Sequence, residues 1–571
     1  MLRHIEFAKG NRGAAILAIV LVTWVCNRSP LEAQNRNVIS GTIKTASGEP
    51  VEGALVRVRS TELGLTFMVV SQAQGRYSTP NVLPGKYTVE GIGGDYQSSP
   101  TGTVEVSNGG QAKMDLVLSV ARKATPPRKR MKQADYAATM PEGPAKQLIL
   151  TKCVNCHDLD GVDTRTLRVL GSRQEWEEDM GLHKYYMEDR PDRLTDEEAK
   201  LLVDYMTKNF SLEFPRARRR EEGPAPDPNS HLPKALLKNT GAKYVAFEFN
   251  LRRGASPHDI SVDSQGIAWV SEHGDNEHGP DGIKGGVGLV SRLDAKALTY
   301  KQFTPPPGKF PTRVSGSAVD PQGTVWNVDN GHNARLIAYN PKSGEFKTYD
   351  MPAPPRQQEW DESGWGDGSA NMNTITFQDG FVWGSGLLSG QIYKLDPASG
   401  GVITYPIPKG RPPYGLAFDN NKMLWYSAEF ADEIVKLDPA NGKRTHYKVL
   451  TPHADLRHIQ TDAAGSVWAS AQQSGKLIKV EGRTGKVTEY APPTELSGID
   501  TVDVDRKNNW IWVGEGEADR LARFDPRTNT FVEFPLASRA SAVKRIAIDP
   551  SNPNRVWWCG SNRAGYVEVI E

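Results

Sequence analysis

Three residues in the first third of the chain have the chemistry of a covalent haem site. Cys153 and Cys156 are separated by two residues, and His157 follows at once. Thiols at this spacing can add to the two vinyl groups of a haem, and the adjacent imidazole then becomes the proximal ligand of the iron. A structural zinc site needs four ligands, and the remaining cysteines, Cys26 and Cys559, do not supply a second pair. The spacing therefore predicts one covalent haem c.

Two stretches with helical spacing flank this motif. Pro144–Lys152 leads into it, and Leu194–Phe210 follows it after a capping-box sequence from Thr195 to Glu198. Together these features resemble the small cytochrome c domain. The resemblance implies an all-α domain over residues 134–214.

The sixth iron ligand is predicted to be a methionine, because a cytochrome c normally offers a thioether from the loop before its last helix. Met187 lies in that loop and is our prediction, with Met180 as the alternative. Met206 falls on the core face of the last helix. His183 could replace either methionine and would lower the potential, since thioether ligation raises it.

Length, charge and the first residues limit the function classes. A chain of 571 residues is too long for one core, and its 69 basic and 68 acidic residues leave no global field that favours nucleic acid. Residues 1–33 combine a basic start with the apolar run Ala14–Val25, which has the form of a secretory signal peptide cut near Ala33. A retained membrane anchor is the alternative. We therefore expect a periplasmic or secreted bacterial protein.

Residues 37–120 alternate apolar and polar positions between turn sequences, as in Val38–Ile43, and predict a small antiparallel β-sandwich. The runs around Gly48-Glu-Pro50 and Leu83-Pro-Gly-Lys-Tyr87 resemble the carboxypeptidase-regulatory-like domain, which has a carbohydrate-binding-like fold. We expect a spacer or docking module more than a sugar binder. Proline-rich and basic stretches at 121–133 and 215–240 are interpreted as linkers.

The second half, residues 243–571, repeats one pattern: an apolar strand, a polar turn, a strand with a tryptophan, and a hairpin of the form Asp-Pro-x-x-Gly. Such a period predicts the four-stranded blades of a β-propeller. Tyr244–Phe249 has the pattern of the strand that the last copy lacks, and it is expected to complete that copy. The seven marker tryptophans are Trp269, Trp326, Trp383, Trp425, Trp468, Trp512 and Trp557.

The pattern Pro-His/Tyr-x-Ile/Leu, Trp-x-x-Glu, Asp-Pro in these copies resembles the virginiamycin B lyase family of seven-bladed propellers. Pro257-His258 and Glu272 match that pattern, while Ala471-Gln-Gln473 departs from it. The resemblance implies metal-assisted elimination in a cyclic depsipeptide, with a histidine as the general base and acidic residues holding Mg²⁺. His258 and Glu272 are accordingly the predicted catalytic pair.

Strand register indicates where such a site would lie. His258 and Glu272 are equally far from the turn near Gln265, so they should meet at one rim. A ring of carboxylates and imidazoles there could bind a divalent cation and position a base. The same register adds Tyr414, His458, Asp329, Glu429 and Glu515 to the rim, together with two insertions at 274–288 and 354–371.

The sequence therefore predicts a mainly β multidomain protein: an N-terminal β-sandwich, a small all-α cytochrome c domain and a C-terminal seven-bladed β-propeller. The favoured function is electron transfer by an exported c-type haem protein whose propeller binds a substrate or a periplasmic redox partner. Two alternatives remain open. One is a metal-dependent C–O lyase, and the other is a non-catalytic haem sensor or binding scaffold.

Overall fold

The computed structural model describes residues 37–94, 97–121, 137–138, 140–153, 173, 176–177, 180–181, 183–184, 193–210, 229–252, 254–274, 288–309, 312–329, 333–352, 372–387, 389–408 and 411–570. The predicted signal peptide, the insertion at 354–371 and all but the two end residues of the insertion at 274–288 lie outside these residues. Among the helices within them, none combines the length and apolar character needed to cross a bilayer.

Ten short strands form the amino-terminal part of the described chain. Their bounds are β1 (Val38–Thr45), β2 (Leu55–Ser60), β3 (Leu65–Val70), β4 (Arg76–Ser78), β5 (Gly85–Ile92), β6 (Gln97–Ser98), β7 (Gly102–Val106), β8 (Gln111–Lys113), β9 (Leu116–Leu118) and β10 (Val120–Ala121).

These strands make two layers. One contains β4, β1 and β8, with β9 also paired to β1, and the other runs β10, β6, β5, β2, β3. Ile39 and Ile43 of β1 pack in one buried cluster with Phe67 and Val69 of β3. The period-two alternation of β1 therefore buries one of its faces between the layers, as expected for a half-buried strand.

Two α-helices are described in full: α1 (Pro144–Thr151) and α2 (Asp196–Phe210). The predicted capping box is present, because Thr195 N donates to Glu198 Oε2 at 2.8 Å and Glu198 N donates to Thr195 Oγ1 at 3.2 Å. α1 and α2 contact each other and share an apolar cluster with Trp176, Met180 and Met206.

The described residues that follow consist mainly of β-strands. The bounds are β11 (Tyr244–Asn250); blade 1, β12 (Pro257–Val262), β13 (Ala268–Glu272), β14 (Leu289–Asp294), β15 (Thr299–Phe303); blade 2, β16 (Val314–Val319), β17 (Val325–Asp329), β18 (Arg335–Asn340), β19 (Glu345–Asp350); blade 3, β20 (Met372–Gln378), β21 (Phe381–Gly386), β22 (Gln391–Leu395), β23 (Val402–Pro406); blade 4, β24 (Pro413–Phe418), β25 (Leu424–Ala428), β26 (Glu433–Leu437), β27 (Arg444–Lys448); blade 5, β28 (Leu456–Thr461), β29 (Val467–Ala471), β30 (Lys476–Val480), β31 (Val487–Tyr490); blade 6, β32 (Ile499–Asp505), β33 (Trp510–Glu515), β34 (Arg520–Asp525), β35 (Thr530–Pro535); and finally β36 (Val543–Ile548), β37 (Arg555–Gly560), β38 (Arg563–Val569).

Each blade is an antiparallel sheet of four strands, and each marker tryptophan lies on a second strand. In four blades the indole nitrogen donates to an aspartate six residues earlier, at the turn between the first two strands. Trp425 Nε1 lies 2.9 Å from Asp419 Oδ2, and Trp468 Nε1 lies 2.9 Å from Asp462 Oδ2. The same aspartate accepts backbone N–H groups of the turn, so one side chain fixes both the turn and the tryptophan.

The first strands of consecutive blades contact one another, from β12 through β32, and β36 contacts both β32 and β12. They are therefore the inner strands. As predicted, Tyr244–Phe249 supplies the missing strand of the last copy, because β11 pairs antiparallel with β38.

The predicted fold class, however, is wrong. The described chain is nearly all β, with two α-helices and many small sheets, and an all-α cytochrome c domain is not seen in its described part. The sandwich and the last copy are also not separate units, since β11 pairs with β3 as well as β38 in one sheet of ten strands. Leu65–Val70 and Tyr244–Phe249 are buried throughout, and because β11 pairs with a strand on each side, neither β3 nor β38 presents an open edge there.

Candidate active site at the inner-strand bulges

A register shift interrupts each inner strand at its first or second residue pair. It lies, for example, between Pro257 and Asp259 in β12, and between Leu456 and Ile459 in β28. A β-bulge re-aims a side chain out of the regular alternation, and bulges are common beside active sites. The residues inside the seven shifts are His258, Gly316, Asn373, Thr374, Tyr414, Gly415, Arg457, His458, Asp500 and Lys544. Since the inner strands contact one another, these residues surround one mouth.

Arg457 lies at the centre of the polar contacts in this mouth. Its Nε and Nη2 donate to the two oxygens of Asp455 at 2.9 and 3.0 Å, a bidentate geometry. The guanidinium lies 5.0 Å from the centre of the Tyr414 ring, and its Nη1 lies 3.5 Å from Glu429 Oε1. One cation therefore connects two carboxylates and a phenol.

Burial raises the pKa of Glu429 to about 8, and the negative charges of Asp455 and Asp500 act in the same direction. Arg457 opposes this effect, but its donors already satisfy Asp455, so it does not compensate for the loss of water around Glu429. Glu429 is 3% exposed. At neutral pH this side chain is therefore predominantly a carboxylic acid that can donate a proton.

His458 has the opposite character. Burial lowers the pKa of its imidazole well below the ordinary value, with further lowering from the positive charges of Arg545, His258 and Arg457. The ring packs edge-on against Tyr414, with 5.2 Å between ring centres. Its Nδ1 has no hydrogen-bond partner among the described residues. A neutral imidazole in this position can accept a proton.

His258, the predicted general base, is half-buried at the bulge of β12. Its ring lies 5.7 Å from that of His273, at an interplanar angle of 30°. The neighbouring Asp259 is buried beside Arg545, with 3.5 Å between Asp259 Oδ1 and Arg545 Nε. Burial raises the pKa of Asp259 to about 6, although Arg545 lowers it. The structure therefore brings His258 and His458 to the same mouth.

Glu272, the predicted partner of His258, is turned toward the outer strands of blade 1. The backbones do meet, since Pro257 pairs with Glu272. The fully buried carboxylate, however, accepts hydrogen bonds from Arg252 on one side and from Ser291, Tyr300 and Gln302 of the third and fourth strands. Its role as a metal ligand remains a prediction.

Of the other predicted rim carboxylates, two face the outer strands and one faces the mouth. Asp329 accepts hydrogen bonds from Arg335 Nε and Asn333 Nδ2, both at 2.9 Å, and so faces the third strand. Glu515 lies toward Arg520, at 4.0 Å. Glu429 instead faces the mouth. Within the described residues, no group of three or more histidine, cysteine, aspartate or glutamate side chains has an arrangement that could hold a metal ion.

Sequence reasoning missed Arg457, Asp455 and Asn373. The Asn373 side chain lies beside the Tyr414 hydroxyl, whose pKa it lowers, and Asp455 orients Arg457. The sequence signal was present, because Asp455-Leu-Arg-His458 places three polar side chains around the start of a buried strand. A strand start with such a concentration of polar residues needs partners inside the fold.

The predicted haem residues fall partly within the described chain. Cys153, directly after α1, is 3% exposed and packs in the cluster shared by the two helices. The alternative distal ligand Met180 is in that cluster too. Cys156, His157 and Met187 lie outside the described residues.

Two family models match the sequence. Residues 318–570 match the Virginiamycin B lyase family, and residues 38–119 match the Carboxypeptidase regulatory-like domain. No curated protein matches the chain.

Among solved structures, a virginiamycin B lyase from Staphylococcus aureus is similar over 57% of this chain and 100% of its own, at 19% identity and a TM-score of 0.48. A streptogramin B lyase is similar over 58% of this chain and 100% of its own, at 23% identity and a TM-score of 0.49. A catalytically inactive histidine-to-alanine variant of the Staphylococcus aureus enzyme, solved with quinupristin, covers the same shares as the first, at 19% identity and a TM-score of 0.48. On the two family models, the chain carries a virginiamycin B lyase-like propeller domain and, before it, a carboxypeptidase regulatory-like domain.

Proposed function

We propose that the mouth formed by the inner-strand bulges is the active site of a C–O lyase acting on a cyclic ester-containing peptide. The observation that carries the proposal is the pairing of a protonated Glu429 with a neutral His458 around Arg457, inside a lyase-like domain. Two groups whose surroundings push their pKa values apart in this way have the properties of an acid and a base.

The reaction is an elimination. The imidazole of His458 takes the proton from a carbon next to a carbonyl group, and the electron pair of that C–H bond forms a carbon–carbon double bond. The C–O bond of the ester breaks at the same time, and its oxygen leaves on a carboxylate. Glu429 donates a hydrogen bond to the carbonyl oxygen, where negative charge develops, and Arg457 stabilises the departing carboxylate.

His258 is the other candidate base, as predicted from the sequence. It lies at the same mouth and its charge acts on His458. We assign proton abstraction to His458 because burial keeps its ring neutral, and we assign contact with the substrate to the half-buried His258. Single alanine variants of the two residues distinguish these roles, since loss of the base lowers kcat and loss of a binding contact raises KM.

The described residues do not fit a magnesium site. The carboxylates of Glu272 and Asp329 already accept hydrogen bonds from other side chains. Among the described residues, no cluster has three ligands of the required kinds. The proposed reaction therefore contains no step through a metal ion. Assays in the presence of MgCl₂ and of EDTA measure whether turnover depends on a divalent cation.

The substrate test uses quinupristin, the compound present in one of the similar structures. The full chain is incubated with quinupristin and the products are separated and weighed by mass spectrometry. Elimination opens the ring without adding water, so we expect a new species of unchanged mass. A product heavier by one water would indicate hydrolysis, and unaltered quinupristin would reject this substrate.

A second function, electron transfer by a covalent haem, is proposed on the C-x-x-C-H sequence from Cys153 to His157. The buried apolar surroundings of Cys153, with Trp176 and Met206 nearby, suit the apolar faces of a haem. A bound haem iron would accept and release one electron. Cys153 and Cys156 would hold the group, His157 would be the proximal ligand, and Met187 or Met180 the distal one.

The haem test is a visible spectrum of the full chain, expressed with a haem-attachment system and then reduced. We expect a sharp α band and colour that stays with the protein after acid–acetone extraction. The Cys153→Ser/Cys156→Ser double variant, which removes both thioether bonds, should release the colour, while Cys559→Ser, which changes a cysteine buried in β37, should not. Protein that folds without covalent haem would reject this function. Export to the periplasm and a periplasmic redox partner are part of the same proposal.

A further inference from the structure

A cleft of about 710 Å³ lies where the sandwich meets β11. Its walls come from β1, β3 and β4 on the sandwich side, and from the start of β11 and the end of the chain on the other. This volume is in the range of clefts that hold small molecules. The cleft shares no lining residue with the mouth formed by the inner-strand bulges.

The floor of the cleft is apolar. Val69, Tyr77, Tyr244 and Val245 line it, and each is at most 5% exposed. The Tyr77 hydroxyl donates to Met114 O at 2.6 Å and the Tyr244 hydroxyl donates to Pro535 O at 2.9 Å. Both hydroxyl groups therefore already have acceptors within the protein, and neither tyrosine offers a free donor to a ligand.

The charged residues of the cleft are all basic. Arg76, Lys113 and Lys243 line it, and its described lining includes no aspartate or glutamate. Lys113 pairs with Asp115 at 3.1 Å on the surface. Arg76 and Lys243 have no ion pair with any residue that the structure describes. Their charge is available to a ligand.

Gln72 places these two cations at the same end of the cleft. Its backbone N–H donates to Arg76 O at 2.8 Å, and its side-chain amide donates to Ala242 O, next to Lys243, also at 2.8 Å. The cleft therefore has two cations beside Gln72 and an apolar floor, and its lining also includes the polar residues Ser40, Thr42, Ser78 and Lys113.

We propose that this cleft binds an amphiphilic carboxylate, a fatty acid, with its chain along Val69 and Val245 and its carboxylate between Arg76 and Lys243. An extended peptide is the competing occupant, because β4 lies at the edge of its sheet. That edge is three residues long and the backbone oxygen of Arg76 already accepts from Gln72, which leaves too little backbone to hold a peptide strand.

The test is titration calorimetry of the full chain with octanoate, decanoate and dodecanoate, each below its critical micelle concentration. Each added methylene that enters the cleft should tighten Kd by about threefold to fourfold. Decanol, which has the same apolar chain without the charge, should bind about fivefold to tenfold more weakly than decanoate.

The Arg76→Gln/Lys243→Gln double variant should lose about fivefold to tenfold in decanoate affinity and leave decanol binding unchanged. Lys44→Gln, at an exposed position of β1 outside the cleft, is the matched control and should bind decanoate normally. An unchanged melting temperature shows that the variants fold. Equal affinity for decanol and decanoate, an unaffected double variant or tighter binding of a Val-Glu alternating heptapeptide would overturn the proposal.

Discussion

Glu429→Gln should make the protein more stable, by an amount that increases with pH. The pKa of Glu429 is about 8 in the folded protein against an ordinary value of 4.5. When a carboxyl has a higher pKa in the folded protein than in the unfolded chain, the unfolded chain ionises first as the pH rises. The folded state then loses stability relative to the unfolded state. The contribution of Glu429 to the unfolding free energy is therefore greatest below about pH 4.5, decreases as the pH rises toward 8, and is constant above that pH.

The size of the effect follows from that displacement. At 1.36 kcal/mol for each tenfold change in proton affinity, the native protein should lose about 3 to 5 kcal/mol between these limits through Glu429 alone. Glutamine has the shape of the protonated acid and does not titrate. The difference in unfolding free energy between the variant and the parent should therefore grow by about 1 kcal/mol per pH unit between pH 5 and 8.

The assay is denaturant unfolding followed by tryptophan fluorescence at a series of pH values. Glu345→Gln, at an exposed position that begins β19, is the matched control and should give a difference that hardly changes with pH. If Glu429 is instead ionised and paired with Arg457, the glutamine variant will be less stable than the parent at every pH from 6 to 9. That result would refute both the protonated acid and its proposed role.

Two further variants test the construction of the blades and of the shared sheet. Asp419→Ala should lower the unfolding free energy by about 2 to 3 kcal/mol, because Trp425 Nε1 and the backbone N–H groups of Asn421 and Met423 all donate to this carboxylate. Asp350→Ala, at the exposed end of β19, is the control and should lower it by less than about 1 kcal/mol. Equal effects would contradict the role of Asp419 in fixing the turn and the tryptophan. Gly565→Ala should lower the melting temperature severely or prevent folding, because a Cβ there would lie 1.9 Å from Phe247 O across the β11–β38 pair, whereas Gly401→Ala, where the nearest atom is a serine hydroxyl 3.3 Å away, should melt within a few degrees of the parent.

Much of the fold was predictable because the repeat is strongly marked. The tryptophan strands, the Asp-Pro hairpins and the strand Tyr244–Phe249 each have a local pattern that tertiary contacts did not override. The β3–β11 pairing was not predictable in this way. Leu65–Val70 reads as a buried strand, but a hydrophobic run does not identify the strand beside it.

The candidate site shows a similar limit. Glu272 follows its marker tryptophan Trp269 by three residues and pairs with Pro257 at the end of its strand, whereas Glu429 follows Trp425 by four, because Ala428 takes that place in blade 4. A shift of one residue moves a side chain to the other face. The sequence therefore located the rim and contained the one-residue offset between the two glutamates. It did not identify the partners that hold each side chain, Arg252 for Glu272 and Arg457 for Glu429.

The most direct test of the account is quinupristin turnover by the parent chain, by His458→Ala and by His446→Ala, the last at an exposed position of β27. We expect a ring-opened product of unchanged mass from the parent and from His446→Ala. For His458→Ala we expect a kcat about a hundredfold or more lower, with KM little changed. Full turnover by His458→Ala, in a protein whose parent opens the ring, would contradict the assignment of the chemistry to this mouth.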